Sequence, residues 1–303
     1  MDRLQAIEVF VRVADLGGFA AAARAQNISP PSATRAVAAL EDHLGAPLFV
    51  RTTRSVRLTE TGRRFLEDGR RILADLAEAE EAAVGAHAAP RGELRLTAPV
   101  LFGGMYVAPI LADFLEAYPD VTATALFLDR IVNLIDEGQD VAVRIGELPD
   151  SSLVARRVGA VRRTLFATPS YLRAYGTPRH PSELATHRLV EAGAFGGGAS
   201  WEFRVDGRYL AIRPTPRLRM NTNDAVREVV ASGWGISRLL SYQIAPLVAN
   251  GTLVEILTDF EPPPLPVHVI HREGRQVSAR VRAFVDFMVG RLRADPSVNP
   301  PRE

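Results

Sequence analysis

From Arg3 onwards the apolar residues Leu4, Ile7, Phe10, Val11 and Ala14 recur at helical spacing until Gly17 and Gly18 stop the run, which predicts a first helix. Residues 19–25 are almost all alanine, a thin second helix that lets its neighbours approach closely, and Asn27 breaks it. Ser29 is a good N-cap and Pro30 falls at the first helical position, where its missing N–H costs nothing, so a third helix starts there. Its buried stripe is Val37, Leu40 and Leu44, its first turns carry Ser32, Thr34, Arg35 and Ala36, and Gly45 ends it. Residues 48–51 and 56–59 flank a polar turn, the pattern of a short β-hairpin. From Glu60 to about Ala86 one long helical segment places Phe65, Gly69, Ile72, Leu76, Ala79 and Ala83 at alternating spacings of four and three, an a/d seam that predicts dimerisation.

After a hinge at residues 87–92 the pattern changes to alternating strands and helices. Strands are expected at 94–98, 121–128 and 141–145 and helices at 105–118 and 131–137, the order of a parallel α/β sheet. A second set follows, with strands at 164–168, around 188–190, at 201–205, 210–212 and 217–220, and helices at 169–175, 224–232 and 241–250. The proline-rich run 262–266 crosses back to a last strand at 267–270 and a last helix at 279–292, and the tail from Asp295 is expected to fray.

Helix, helix, turn, helix and hairpin together describe a winged helix-turn-helix. The charge pattern agrees locally although 36 basic residues nearly cancel 35 acidic ones over the whole chain: between Arg51 and Arg71 seven arginines stand against three acids. The chain's 303 residues, 47% of them apolar, suit two domains with buried cores. No uninterrupted run of 18 apolar residues occurs and the first ten residues alternate charged with apolar positions, so a cytoplasmic location without membrane partners is expected. Zero cysteines exclude disulfides, iron–sulfur clusters, thiolate zinc sites and thiol redox sensing, and the absence of lysine excludes Schiff-base chemistry and a P-loop.

The segment FAAAARAQNISPPSATRAVAALEDHLGAPLFVRTTRSVRLTETG resembles the DNA-binding domain of LysR-type transcriptional regulators, and GELRLTAP, DVAVRIG, LFATPSYL, ASGWGIS and VRAFVDFM resemble the effector-binding half of the same family. The resemblance implies an α/β protein overall, with a winged helix-turn-helix over residues 1–59, a dimerising linker helix over 60–86, the hinge 87–92, and an effector domain over 93–294 built as two lobes like type 2 periplasmic binding proteins. Lobe I would take about 93–162 and 267–294, lobe II about 163–266, leaving 295–303 as tail. It further implies binding to dyad-symmetric promoter DNA as a homodimer or homotetramer, contact with RNA polymerase, and switching by a small-molecule effector between the lobes. Two positions depart from the family: Gln26 stands where leucine is usual, and Gly18 where a serine often caps the second helix.

In such a motif the third helix enters the major groove with its N-terminal end, which makes Ser29, Pro30, Pro31, Ser32, Thr34 and Arg35 the expected readers and Arg51, Arg54 and Arg57 the expected wing contacts to phosphate or minor groove. By position the effector cleft is expected to be lined by Pro99, Val100, Leu101, Phe102, Asp129, Arg144, Asn221 and Thr222, with Phe195 and the glycines after it as a pocket wall. Helix N-termini there favour a carboxylate. Val100, where many relatives carry serine or threonine, favours an apolar or aromatic acid. Arg144 is open to two readings, a ligand for that acid or a structural ion pair.

Neither GxSxG nor HExxH occurs, and Gly233-Trp234-Gly235 lacks the third glycine of a dinucleotide loop. His268 and His271 are three apart on an expected strand, hence on opposite faces, so no metal site and no cofactor are expected. The rival function is an enzyme or small-molecule-binding protein on the α/β half with the helix-turn-helix as an appendage. It lacks a nucleophile with a partner in sequence context, so no enzymatic activity is expected.

Overall fold

The computed structural model describes residues 2–51, 56–84, 89–130, 132–148, 153–193, 200–272 and 278–299. The chain divides into two compact units, the first residues 1–88 with 275–278 and the second residues 89–274 with 279–303.

In the first unit α1 (Arg3–Leu16) ends on Gly17 at φ 68°, α2 is Phe19–Ala25, and α3 (Pro30–Leu44) ends on Gly45 at φ 66°; both glycines close their helices in the left-handed region. Strands β1 (Phe49–Arg51) and β2 (Val56–Leu58) pair antiparallel as the wing, and α4 runs Glu60–Val84. Phe10 is fully buried between Phe49 and Phe65, with ring centroids 5.2 and 5.5 Å away, and Val9, Val13, Ala22, Ala33 and Val37 complete the core around it. The Glu41 carboxylate accepts the Leu48 and Phe49 amides at 2.8 and 3.0 Å and so fastens the wing to α3.

The expected α4 seam is corrected at its N-terminal end. Phe65 packs into the core of its own unit, and Gly69 lets α4 approach α1 so closely that a Cβ there would lie 3.2 Å from Ile7 Cγ2. Only further along does the stripe turn outward, with Ile72 39% exposed. The side chains of Ala79 and Ala83 lie outside the described residues.

The second unit is built on two sheets. The first has the order β4-β3-β5-β14-β6, from β3 (Gly92–Ala98), β4 (Val121–Phe127), β5 (Val141–Ile145), β6 (Leu153–Val161) and β14 (Leu265–Arg272). It is mixed rather than parallel: β3 runs parallel to β4 and β5, but β14 is antiparallel to both β5 and β6. Strand β6 was not expected, because Arg156 and Arg157 interrupt its apolar pattern.

Helix α5 (Val100–Phe102), a π-helical turn over Gly103–Val107 and α6 (Ala108–Ala117) form one run that starts five residues before the expected helix. Its length and composition would also suit a membrane span. In this fold it packs through Phe102, Val107, Ile110 and Phe114, all buried, with Phe114 meeting Phe284 of α10 (Ala279–Ala294) at 5.0 Å.

The expected helix at 131–137 does not form. Ile131 lies outside the described residues, and 134–138 are turns in which Asn133 Oδ1 accepts the Ile135 amide at 3.0 Å, a local bond that competes with helix.

The second lobe holds β7 (Arg163–Ala167) between β12 (Ser237–Leu240) and β13 (Val254–Ile256), with β8 (Val190–Ala192) paired to β11 (Leu218–Met220) and the hairpin β9–β10 (Trp201–Val205, Arg208–Ile212). Helices α7 (Pro169–Tyr175), α8 (Asn223–Ala231) and α9 (Ser241–Ala249) cover it.

The tail is not frayed where it is described. Val298 is fully buried, its carbonyl accepts the Ala160 amide at 2.8 Å, and a Cβ on Gly159 would stand 2.1 Å from that carbonyl oxygen.

Candidate nucleic-acid interface and effector cleft

The N-terminal end of α3 is held by its own side chains. The Ser29 hydroxyl accepts the Ser32 amide at 3.2 Å and meets the Ser32 hydroxyl at 2.8 Å; Arg35 donates from Nη2 to that same hydroxyl at 3.3 Å, and Thr34 donates to the Pro30 carbonyl at 3.1 Å. Ser29, Pro30, Pro31, Thr34 and Arg35 are exposed and Ser32 is half-buried, while Ala33, Ala36 and Val37 point into the core. The six expected readers therefore form one outward patch, backed by buried small residues.

Among the described residues neither Arg35 nor exposed Arg57 has an ion-pair partner. Other arginines of the basic run are matched: Arg63 and Arg64 with Glu60, Arg71 with Asp68, and Arg70 with Asp15 of α1. Glu60 is held below the usual carboxylate range by Arg63. The count of seven arginines thus overstates the field available to DNA, because four of them serve α4 and its docking. Arg54 and the Arg51 side chain lie outside the described residues.

In the second unit the loop after β3 and the end of β4 come together as expected. The Asp129 carboxylate accepts the Val100 amide at 3.0 Å, with Pro99 at the N-cap position and Val100 45% exposed. Leu101 is half-buried. Phe102 is a correction: it is fully buried, 4.9 Å from the Tyr106 ring and 5.2 Å from Tyr242 of α9, and a side chain so enclosed has no face left for a ligand. The three rings join the two lobes. Tyr106 and Tyr242 carry no motif that marks them, and burial pushes both phenols above their ordinary value.

Arg144 is neither a salt bridge nor a free cation. It donates from Nη2 to the Val132 carbonyl at 3.0 Å and from Nη1 to its neighbour Val143 at 3.5 Å, so it pins the turn that follows β4, and burial lowers its pKa. Asn221 and Thr222 are exposed at the start of α8, where the Thr222 hydroxyl bonds Asp224 and holds that carboxyl below its usual range. Phe195 and the glycines after it lie outside the described residues. Among the described residues no group of three His, Asp or Glu side chains is placed to hold a metal. His268 Nδ1 is buried without a partner, and His271 Nδ1 bonds the Arg272 carbonyl at 2.8 Å.

A winged helix with an exposed recognition end, joined through one long helix to a two-lobed α/β unit, is the architecture of a ligand-responsive DNA-binding protein. Residues 4–63 match the family described as bacterial regulatory helix-turn-helix protein, lysR family, and residues 87–293 match the LysR substrate binding domain. The chain belongs to the LysR family of transcriptional regulators. It is similar to an HTH-type transcriptional regulator of Xanthomonas campestris pv. campestris, 35% identical over 291 residues that cover 95% of this chain and 85% of the relative. Among solved structures it is similar to CrgA of Neisseria meningitidis (31% identity, TM-score 0.62, covering 95% of this chain and 98% of that one). The Vibrio cholerae virulence activator AphB is similarly related (28% identity, TM-score 0.62, 96% and 99% covered). The protein is a DNA-binding transcriptional regulator, not an enzyme.

Proposed function

We propose that this regulator binds dyad-symmetric promoter DNA in the cytoplasm as a homodimer that pairs into a homotetramer, contacts RNA polymerase there, and is switched by a small organic effector between its lobes. The observation that carries the DNA reading is the outward patch of α3. Arg35 lies on that patch with no carboxylate to satisfy it, which suits a bidentate contact to guanine, while Ser29, Pro30, Pro31, Ser32 and Thr34 set its approach. Arg57, with Arg51 and Arg54, takes phosphate or minor groove. The outward Ile72 of α4, with half-buried Leu76 a turn further on, supplies the dimer seam.

The effector contacts Pro99, Val100, Leu101, Asp129, Asn221 and Thr222, with Phe195 as a wall and Arg144 shaping the floor from behind. The carboxylate preference expected from the helix N-terminus loses its support here, since Asp129 already holds the Val100 amide and repels a second anion. A ligand with an apolar body against Val100 and a neutral or cationic donor for Asp129 fits this end better. With no cysteine in the chain, the signal is a ligand and not thiol oxidation.

Hydroxyl-radical footprinting on a fragment recovered by selection from random DNA tests the reading. Two protected patches separated by one helical turn, ~34 Å, or a multiple of it support a two-fold assembly. One protected patch contradicts it.

A further inference from the structure

A cavity of about 890 Å³ opens between the end of β6, α9 and the C-terminal tail. Its floor is the end of β6, Val158 to Ala160; its walls are Ala245, Val248 and Ala249 of α9 on one side and Pro296, Ser297 and Asn299 of the tail on the other, and Pro264, just before β14, also lines it. The volume lies in the range of small-molecule sites, and the lining mixes apolar side chains with the charged groups of Arg157, Arg162, Glu255 and Arg293.

Three arginines reach this cavity. Arg162 is ion-paired: it holds Glu255 at 2.8 and 2.9 Å and Glu261 at 2.8 Å, and its backbone N–H donates to the Ser241 hydroxyl at 3.1 Å. Arg157 and Arg293 are different. Arg157 donates to the Gly159 carbonyl at 3.5 Å, and Arg293 donates from Nε and Nη2 to the Arg157 carbonyl at 3.3 and 2.9 Å. Neither has a carboxylate partner among the described residues, so two guanidiniums on one cavity keep donors for an anion. Asn299 spends its amide N–H on the Arg293 carbonyl at 3.0 Å, which fixes the tail over the opening.

We propose that this cavity is a second small-molecule site, separate from the effector cleft, that takes an organic carboxylate: Arg157 and Arg293 hold the carboxylate and Val158, Ala245, Val248 and Pro264 cover the carbon body. The site has a route to the switch. Its walls come from both lobes, so an occupant favours the lobe arrangement in which α9 and the tail stand as they do here. Ser297 of its rim also meets the hydroxyl of Tyr106, whose ring packs on Phe102 and Tyr242.

Titration calorimetry of the full chain with phthalate tests this. The expected result is saturable binding by the wild type, weakened at least about tenfold by Arg157→Gln and by Arg293→Gln, since each removes charged hydrogen bonds. Ala249→Trp, on an exposed rim position, blocks the opening without touching a core residue and abolishes binding even if an arginine variant folds poorly. Asn221→Ala, in the effector cleft, leaves phthalate binding unchanged. No binding by the wild type, or binding that survives Ala249→Trp, overturns the proposal. Inorganic phosphate competing as tightly as phthalate overturns the organic part of it.

Discussion

The Asp129 carboxylate accepts the Val100 amide at 3.0 Å, so the first helix of the effector domain is closed at its N-terminus by a charge of the protein's own. A helix N-terminus is an anion site only while its N–H groups are unclaimed. Asp129→Ala is expected to lower stability by ~1 kcal/mol, the usual cost of a lost cap, in a denaturant titration. In an Ala249→Trp background, which closes the second cavity, the same change should strengthen benzoate binding, because a like charge has gone. Weaker benzoate binding would show that Asp129 orients the effector instead of repelling acids.

Variants should separate the end of α4 that packs on its own unit from the proposed dimer seam further along. Phe65→Ala opens the core around Phe10 and is expected to destabilise the winged unit by ~2 kcal/mol or more. Ile72→Asp, on the outward stripe, should leave the melting transition of the wing core in place and shift sedimentation towards monomer. An unchanged oligomer with Ile72→Asp would place the seam elsewhere.

Gly62 sits where α4 begins, directly against the wing. A Cβ there would lie 2.0 Å from the Leu48 carbonyl oxygen, which itself accepts the Thr59 amide at 2.9 Å. Gly62→Ala must therefore push α4 away from β1, at a cost of ~1–3 kcal/mol by analogy with overpacked cores. Circular dichroism melts of the variant and the parent check this, and equal melting temperatures would refute it.

Acid should weaken the second unit through His268. Its ring is held below the ordinary value of 6.5 chiefly by burial and then by the charge of Arg157. The unfolded chain then takes up the proton first, so stability is complete above about pH 6.5 and is lost as pH falls from there through the lower value of the folded ring. Melting temperatures at pH 7.5 and 5.5 are expected to differ, and His268→Gln to narrow the gap. A gap as wide in the variant would assign the acid response to other groups, such as His187, which burial also lowers.

The winged unit was nearly all legible in the chain, because its signals are local: Ser29 before two prolines, Gly17 and Gly45 after apolar stripes, and a polar turn between two short apolar runs. What failed there was the destination of a stripe. Phe65 and Gly69 show the spacing of an intermolecular seam, but periodicity cannot say whether the surface opposite belongs to a second chain or to α1.

In the second unit the sheet's composition depended on pairings far apart in sequence. Strand β14 enters between β5 and β6 from more than a hundred residues away, and β6 carries charges in the middle of its pattern. The site suffered for the same reason. Position along the chain brought Pro99, Val100 and Asp129 together correctly, but could not show that Phe102 would be enclosed by Tyr242, or that Arg144 would be spent on the Val132 carbonyl.

Whether the exposed end of α3 reads base sequence is decided by selection from random double-stranded DNA with wild type and Arg35→Ala. The wild type should select a dyad-symmetric motif, and the variant should lose its preference at one base pair in each half-site, worth ~1–3 kcal/mol, with weak general DNA binding retained. Selection of the same motif with the same preference at every position by both proteins would contradict it.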